Sequence, residues 1–257
     1  MNARAIKRAG AVVASTAVLL PALAGCGSSG DDSSSAAGQS GTNTFPQSTE
    51  PAKLDPAGFS TTIDNPYFPL PVGARWVVRV TDAEGLEQRQ VITVTDQTRR
   101  IADGVEARVV HDVVSEDGKP VEVTDDWYAQ DSEGNVWYFG EDTVSFESGK
   151  PDRSGSFEAG VKGADAGVIM PAHAEVGMTY REEYYAGRAE DRSKVLSVDE
   201  QAEVPFGHFT DVLLTKDNTP VEPRVFEYKL YAPGVGQVLA QTVSGGSERE
   251  ELISFTK

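Results

Sequence analysis

The stretch from Val105 to Gln130, VEARVVHDVVSEDGKPVEVTDDWYAQ, decides how this chain folds. Val105, Ala107, Val109, His111 and Val113 recur at every second position, the period of one face of a β-strand. Glu116-Asp117-Gly118-Lys119 follows, and Asp-Gly accepts the positive φ angles that a two-residue type I′ turn demands. Val121 to Gln130 then returns as a second strand. Working outward, Arg75 to Thr81 places Trp76, Val78 and Val80 on one face, and Val91 to Thr95 is β-branched at every position. Asp131 to Asn135 is a further turn, and Val136 to Gly140 runs back from it. No stretch longer than ten residues carries a convincing helical period. Ala186 to Asp199 comes nearest and is weakened by Gly187, Ser193 and Ser197. The expectation is a mainly β protein with few short helices.

The chain also resembles itself. Pro71 to Trp76 matches Glu175 to Tyr180 at an offset of 104, and Gly104 to Val110 matches Gly207 to Leu213 at 103. Tyr128-Ala129 matches Tyr231-Ala232, Gly134 to Val136 matches Gly236 to Val238, and Phe68-Pro69 corresponds to Met170-Pro171, all at nearly the same spacing. Ordered matches at one spacing imply a duplicated structural unit. Two meanders, residues 64–165 and 166–257, would form one large antiparallel sheet or two packed sheets. Exposed strand edges invite misassembly, so closure into a curved half-barrel or a sandwich is expected.

The first residues are an address. Arg4, Lys7 and Arg8 precede an apolar run from Ala11 to Leu20, then Leu23-Ala24-Gly25-Cys26. A basic start, a short apolar run and a small-residue exit describe a signal peptide over residues 1–25. The run falls short of the roughly 20 residues a spanning helix needs. Leu23 to Cys26 resembles the bacterial lipobox, which implies lipid on the Cys26 thiol and cleavage after Gly25. Cys26 is the single cysteine, so the folded part has no disulfide. Residues 26–53, rich in Ser, Gly, Ala and Thr, read as a disordered tether, with Phe45 incidental. A single β-rich domain is expected over residues 54–257.

Of 23 basic residues three lie in the leader, which leaves 20 against 40 acidic ones and a formal charge of −20 for the mature chain. Nucleic-acid binding needs a positive footprint, and flat docking on anionic lipid needs the same. Both are disfavoured, and the membrane is reached through the lipid anchor alone.

Several blocks resemble a group of bacterial secreted lipoproteins without an established activity: Asp64 to Leu70 (DNPYFPL), Asp126 to Asp131 (DWYAQD), Val136 to Asp142 (VWYFGED) and Tyr231 to Gly236. The resemblance implies export and anchoring and transfers no catalytic residue. The architecture is also similar to that of exported lipoproteins whose curved antiparallel sheet carries lipids or other lipoproteins; fold alone gives no function.

Two sets of residues are candidate sites. Trp127, Tyr128, Trp137, Tyr138 and Phe139 lie on adjacent strands, where alternation sends rings to both faces. One face would fill the core, and the other would either line a ligand pocket or form stabilising cross-strand pairs. His111, Asp125 and Asp126 form a polar cluster whose counterparts in the second half are Leu214, Tyr228 and Lys229. With Asp117-Gly118 as the turn, His111 is expected opposite Thr124 with Asp126 diagonal to it, a pairing suited to general-base work or a metal site, or to a structural pair at the sheet margin. His173 and His208 read as loop histidines, and Asp131 to Asn135 lacks the closing Glu of a calcium loop. No Walker, dinucleotide or nucleophile-elbow signature is present, so no catalytic residue, metal or cofactor is expected. The residues point to a non-enzymatic envelope lipoprotein that binds an apolar small molecule or an envelope protein. The alternatives are a protein or glycan interaction module and a His- or metal-dependent enzyme.

Overall fold

In a computed structural model, which describes residues 45–146 and 149–257, the deciding stretch is a hairpin. Strand β4 (Glu106–Glu116) pairs antiparallel with β5 (Lys119–Asp131), and Asp117 and Gly118 turn between them at φ 50° and 76°. Four elements precede it: a 3-10 turn at Pro56–Gly58, β1 (Phe59–Ser60), and β2 (Arg75–Thr81) with its hairpin partner β3 (Glu87–Arg100). After it come β6 (Val136–Ser145), β7 (Phe157–Glu158), β8 (Asp165–Met170), β9 (Thr179–Arg181) and β10 (Glu183–Tyr184). The chain ends in β11 (Arg192–Val204), β12 (Gly207–Asn218), β13 (Phe226–Ala232), β14 (Gly236–Ser244) and β15 (Arg249–Thr256). The segment nearest to a helical period becomes a turn and the start of β11, because its alternating Ser193 and Val195 face inward.

All these strands belong to one antiparallel sheet, ordered β10-β8-β6-β5-β4-β3-β2-β15-β14-β13-β12-β11-β9, with β1 and β7 added beside β5 and β6. The two ends of that order are consecutive in sequence. β9 pairs with β11, β10 pairs with β8, and Glu182 alone stands between them. One extended segment therefore changes partner and draws the sheet into a nearly closed barrel, which removes most of its free edge. The crossing is tight. A Cβ on Gly167 of β8 would lie 2.3 Å from the carbonyl carbon of Glu182, so glycine is what lets the two backbones pass.

The duplication is visible in backbone detail. Gly73 N donates to Val94 O while Val94 N donates to Ala74 O; Gly177, Val195 and Met178 repeat both bonds, each at 2.9 Å. Gly73 and Gly177 sit at φ 90° and 92°, where a side chain is strained. Bulges recur in step: β3/β4 slips after Val94 and β11/β12 after Val195, and the slip between Asp126 and Tyr128 has its counterpart between Leu230 and Tyr231. Such extra residues bend strands and raise their twist, as closure of a wide sheet requires.

One continuous apolar core fills the barrel around Trp76, Tyr128, Tyr138, Tyr180 and Tyr231, capped by Ile63, Phe68 and Leu70 from the segment before β2. Cys26, the signal peptide and the first part of the expected tether lie outside the described residues. The remainder corrects the expected boundary. Residues from Phe45 onward are placed against the barrel, and Phe45 meets the ring of Tyr180 edge-on at 6.4 Å. Composition favours disorder only where no partner surface exists; here Tyr180 and Arg181 provide one.

Candidate functional site

All five rings of the aromatic block are core. Tyr128, Tyr138 and Phe139 are fully buried, Trp127 is 4% exposed and Trp137 8%. Tyr128 packs on Tyr138 at 5.0 Å and on Phe68 at 5.4 Å, and Phe157 covers Tyr138 at 5.7 Å. On the outer side of the sheet Phe59 sits edge-on against both Trp137 and Phe139. The Arg99 guanidinium lies 4.1 Å above Trp127 and is held there by Glu158. Trp127 borders an open depression of about 240 Å³ beside Asp142 and Glu158, but the arginine lies over its face. Rings that touch one another stabilise the sheet through cross-strand pairing.

The polar cluster is split. His111 stands opposite Asp125, not Thr124, with Nδ1 and Oδ1 2.7 Å apart. The turn is the expected one, yet Ser115 pairs with Pro120 while Val114 pairs with Glu122, so Val121 is an extra residue in β5. That bulge shifts the register by one, and with a side-chain period of two a shift of one exchanges faces. His111 and Asp125 are half-exposed on the outer face, 43% and 48%. Asp126 points into the barrel, where the Tyr138 hydroxyl donates to its Oδ1 at 2.9 Å and lies 3.3 Å from Glu141 Oε2. The expected His111–Asp126 contact is therefore absent. Asp131, in the turn that faintly resembles a calcium loop, spends its carboxylate on the backbone N–H groups of Glu133 and Asn135 and on the Trp137 indole N–H. His173 is an exposed loop residue, and His208 opens β12 on the surface. Among the described residues no group of three His, Cys, Asp or Glu side chains is arranged to hold a metal ion.

Inside the barrel each strand changes character along its length. On β5 the inward residues run Tyr128, Asp126, Thr124; on β12 Leu213, Thr215, Asp217; on β13 Tyr231, Lys229, Glu227. One end is apolar and the other is lined with carboxylates. Asp112 accepts from Gln90 at 2.6 Å, and the hydroxyls of Thr124 and Thr143 meet at 2.7 Å. Lys229 holds Asp217 at 2.7 Å and Glu227 at 3.6 Å, all three largely buried. Glu182 and Glu183, where the sheet closes, are each 1% exposed, and none of their four carboxylate oxygens has a hydrogen-bond partner among the described residues.

Burial dominates the electrostatics. Desolvation, with repulsion from Asp112, lifts the Asp126 carboxyl to about 7. Desolvation also lifts Asp191 to about 7 and Glu227 to about 8 against the pull of Lys229. Glu182 and Glu183 are pushed well above the usual carboxylate range, first by burial and then by Asp217 and Asp191 respectively. Burial works against the Lys229 charge, but Asp217, Glu182 and Glu227 outweigh it and hold the ammonium well above its usual value. This end of the barrel stores protons at neutral pH beside one fixed positive charge.

No protein-family model and no curated protein matches this chain. Two solved structures are similar in outline. One is a candidate exported protein with a YmcC-like fold from Bacteroides fragilis, 16% identical, with a TM-score of 0.44 over 75% of this chain and 100% of that one. The other is a candidate lipoprotein from Parabacteroides distasonis, 14% identical, with a TM-score of 0.44 over 75% of this chain and 99% of that one.

The acidic interior was not singled out from sequence, although the repeat contains its signature. At the offsets that align the halves, Glu182 replaces Val78, Asp217 replaces Val114, Glu227 replaces Thr124, and Lys229 stands where Asp126 does. A charge at the repeat mate of a core valine marks a buried ionisable group, once both halves are known to use the same face.

Proposed function

We propose that this chain is an exported lipoprotein, tethered through lipid on Cys26, that acts without catalysis as an interaction module for a basic partner in the cell envelope. The observation that carries this reading is the fate of the aromatic block. Its rings are consumed by one another, by Phe59 and by Phe157, whereas an apolar carrier would need them around a ligand. The charge supports it as well: with 20 basic and 40 acidic residues in the mature chain, an acidic surface favours and steers cationic groups. The basic leader and the lipobox-like Leu23 to Cys26 support export and anchoring.

The test uses the full chain, expressed with its own export signal and purified gently. Organic extraction followed by mass spectrometry is expected to return no lipid beyond the anchor. Polylysine is expected to bind, with affinity falling steeply as salt is added. One additional lipid per chain, or polylysine binding indifferent to salt, would overturn the proposal and restore the apolar carrier.

A further inference from the structure

We propose that the anchor-proximal segment from Phe45 to Ala52 is a latch across the seam of the barrel, and that ionisation of the carboxylates packed behind that seam releases it, so the barrel opens locally as pH rises.

The latch grips both sides of the closure. On the β9 side, Arg181 N donates to Pro46 O at 2.8 Å, and the Gln47 side chain exchanges hydrogen bonds with Thr179, its amide donating to the carbonyl and the hydroxyl donating back, both at 2.7 Å. On the β8 side, Ala52 N donates to Asp165 Oδ2 at 2.8 Å. Arg181 ties the two together. Its guanidinium donates to the carbonyls of Ser48 and Glu50 at 2.7 and 2.9 Å, to Ala166 O at 2.6 Å and to Asp165 at 3.1 Å. The seam itself is weakly paired. β9 has three residues and β10 two, against thirteen in β11. Short ladders open at lower free energy than long ones, so the latch supplies much of what holds this edge.

Directly behind lie Glu182 and Glu183. Facing them are Tyr180 from β9, Asp191 from the strap before β11, Asp217 from β12, Glu227, Lys229 and Tyr231 from β13, Glu141 and Tyr138 from β6, and Tyr128 from β5. Lys229 is the one cation among these groups. Among the described residues the oxygens of Glu182 and Glu183 have no hydrogen-bond partner, and they are buried from water, so they are accommodated as neutral acids; an unpaired buried charge costs several kcal/mol. Raised folded-state values mean that the closed barrel keeps protons that an opened one gives up. The closure is therefore fully supported in acid and loses support as pH rises through Asp191 at about 7 and Glu227 at about 8. Repulsion among the resulting anions is relieved most cheaply where pairing is shortest, at the seam.

The test is amide hydrogen exchange on the mature lipoprotein in detergent micelles, corrected for the intrinsic rate, at about pH 6 and about pH 9. Protection of residues 46–52 and 179–184 is expected to fall at least about tenfold between them while β3 keeps its own. Protection at the seam that does not change, or a fall shared equally by β3, would overturn the proposal. The double variant Asp191→Asn, Glu227→Gln, which removes the two groups that ionise in this range, is expected to stay latched at the higher pH. The same loss in the variant as in the wild type would likewise overturn it, and should the variant fail to fold, the wild-type comparison of seam with β3 decides alone.

Discussion

Replacing Asp126 with Asn should stabilise this protein at alkaline pH and leave it unchanged in acid. Asp126 is fully buried, and its carboxyl titrates at about 7, raised chiefly by desolvation. In the unfolded chain it titrates near its ordinary value of 3.8. Because the folded value is the higher one, its contribution is intact below the unfolded value and is lost as pH rises from about 4 to about 7. A gap of roughly three units at 1.36 kcal/mol each sets the loss at about 4 kcal/mol above neutrality. Asparagine has nearly the same shape, carries no charge and still accepts the Tyr138 hydroxyl that Asp126 accepts at 2.9 Å. Any cost of its new amide N–H groups is the same at every pH, so the difference between conditions isolates the ionisation. The assay is urea denaturation followed by the fluorescence of Trp76, Trp127 and Trp137, all buried in the folded state. The variant's gain at about pH 8 should exceed its gain at about pH 4 by 2–4 kcal/mol, with unchanged m-values. A difference between the two conditions below about 0.5 kcal/mol would refute the claim that this carboxyl is buried with a raised affinity for its proton.

Further outcomes follow from the same geometry. Lys229→Met removes the cation between Asp217 and Glu227, and should cost about 3 kcal/mol at about pH 8 but less at about pH 4, where the raised Glu227 carboxyl is neutral; an equal loss at both would show that packing, not charge, is what Lys229 provides. Gly167→Ala drives a methyl to 2.3 Å from the backbone at Glu182 and should cost about 2 kcal/mol or more, with seam amides losing exchange protection first; wild-type stability would mean that the crossing is looser than it stands. His111→Ala removes only a half-exposed pair with Asp125 and should move the urea midpoint by less than about 1 kcal/mol equivalent, whereas a larger shift would give His111 a structural role. Cys26→Ser removes the thiol proposed to carry the lipid, and fractionation should find the protein in the soluble fraction; retention in membranes would require another anchor.

Much of the architecture was legible in the chain. The hairpin at Asp117-Gly118, the strand Arg75–Thr81 and the two meanders could be read because alternation, turn chemistry and self-similarity are local or strictly periodic properties. The candidate site was legible only in part. His111, Asp125 and Asp126 were read as one polar cluster, but Asp126 faces the other way, and the pairing depended on whether Val121 is bulged. Nothing in Lys119-Pro120-Val121-Glu122 announces an extra residue, and one residue decides which carboxylate meets the histidine. The aromatic block was read as facing both ways, as it does; that Phe59 and Phe157 would come from elsewhere to cover it is a long-range fact. The same holds for Phe45, which gains a place only because Tyr180 and Arg181 lie within reach.

By itself the sequence determined the strands, their turns and the duplication, because each is set by neighbouring residues or by a fixed spacing. Only the tertiary structure decided which face of each strand turns inward, and so that Glu182, Glu183, Asp217 and Asp126 share one interior with a single lysine. The physical reason is closure. The ends of the sheet meet at Glu182, between the consecutive short strands β9 and β10, and bulges along the way set the register. A carboxylate's protonation depends on what surrounds it in space, and no spacing along the chain specifies that.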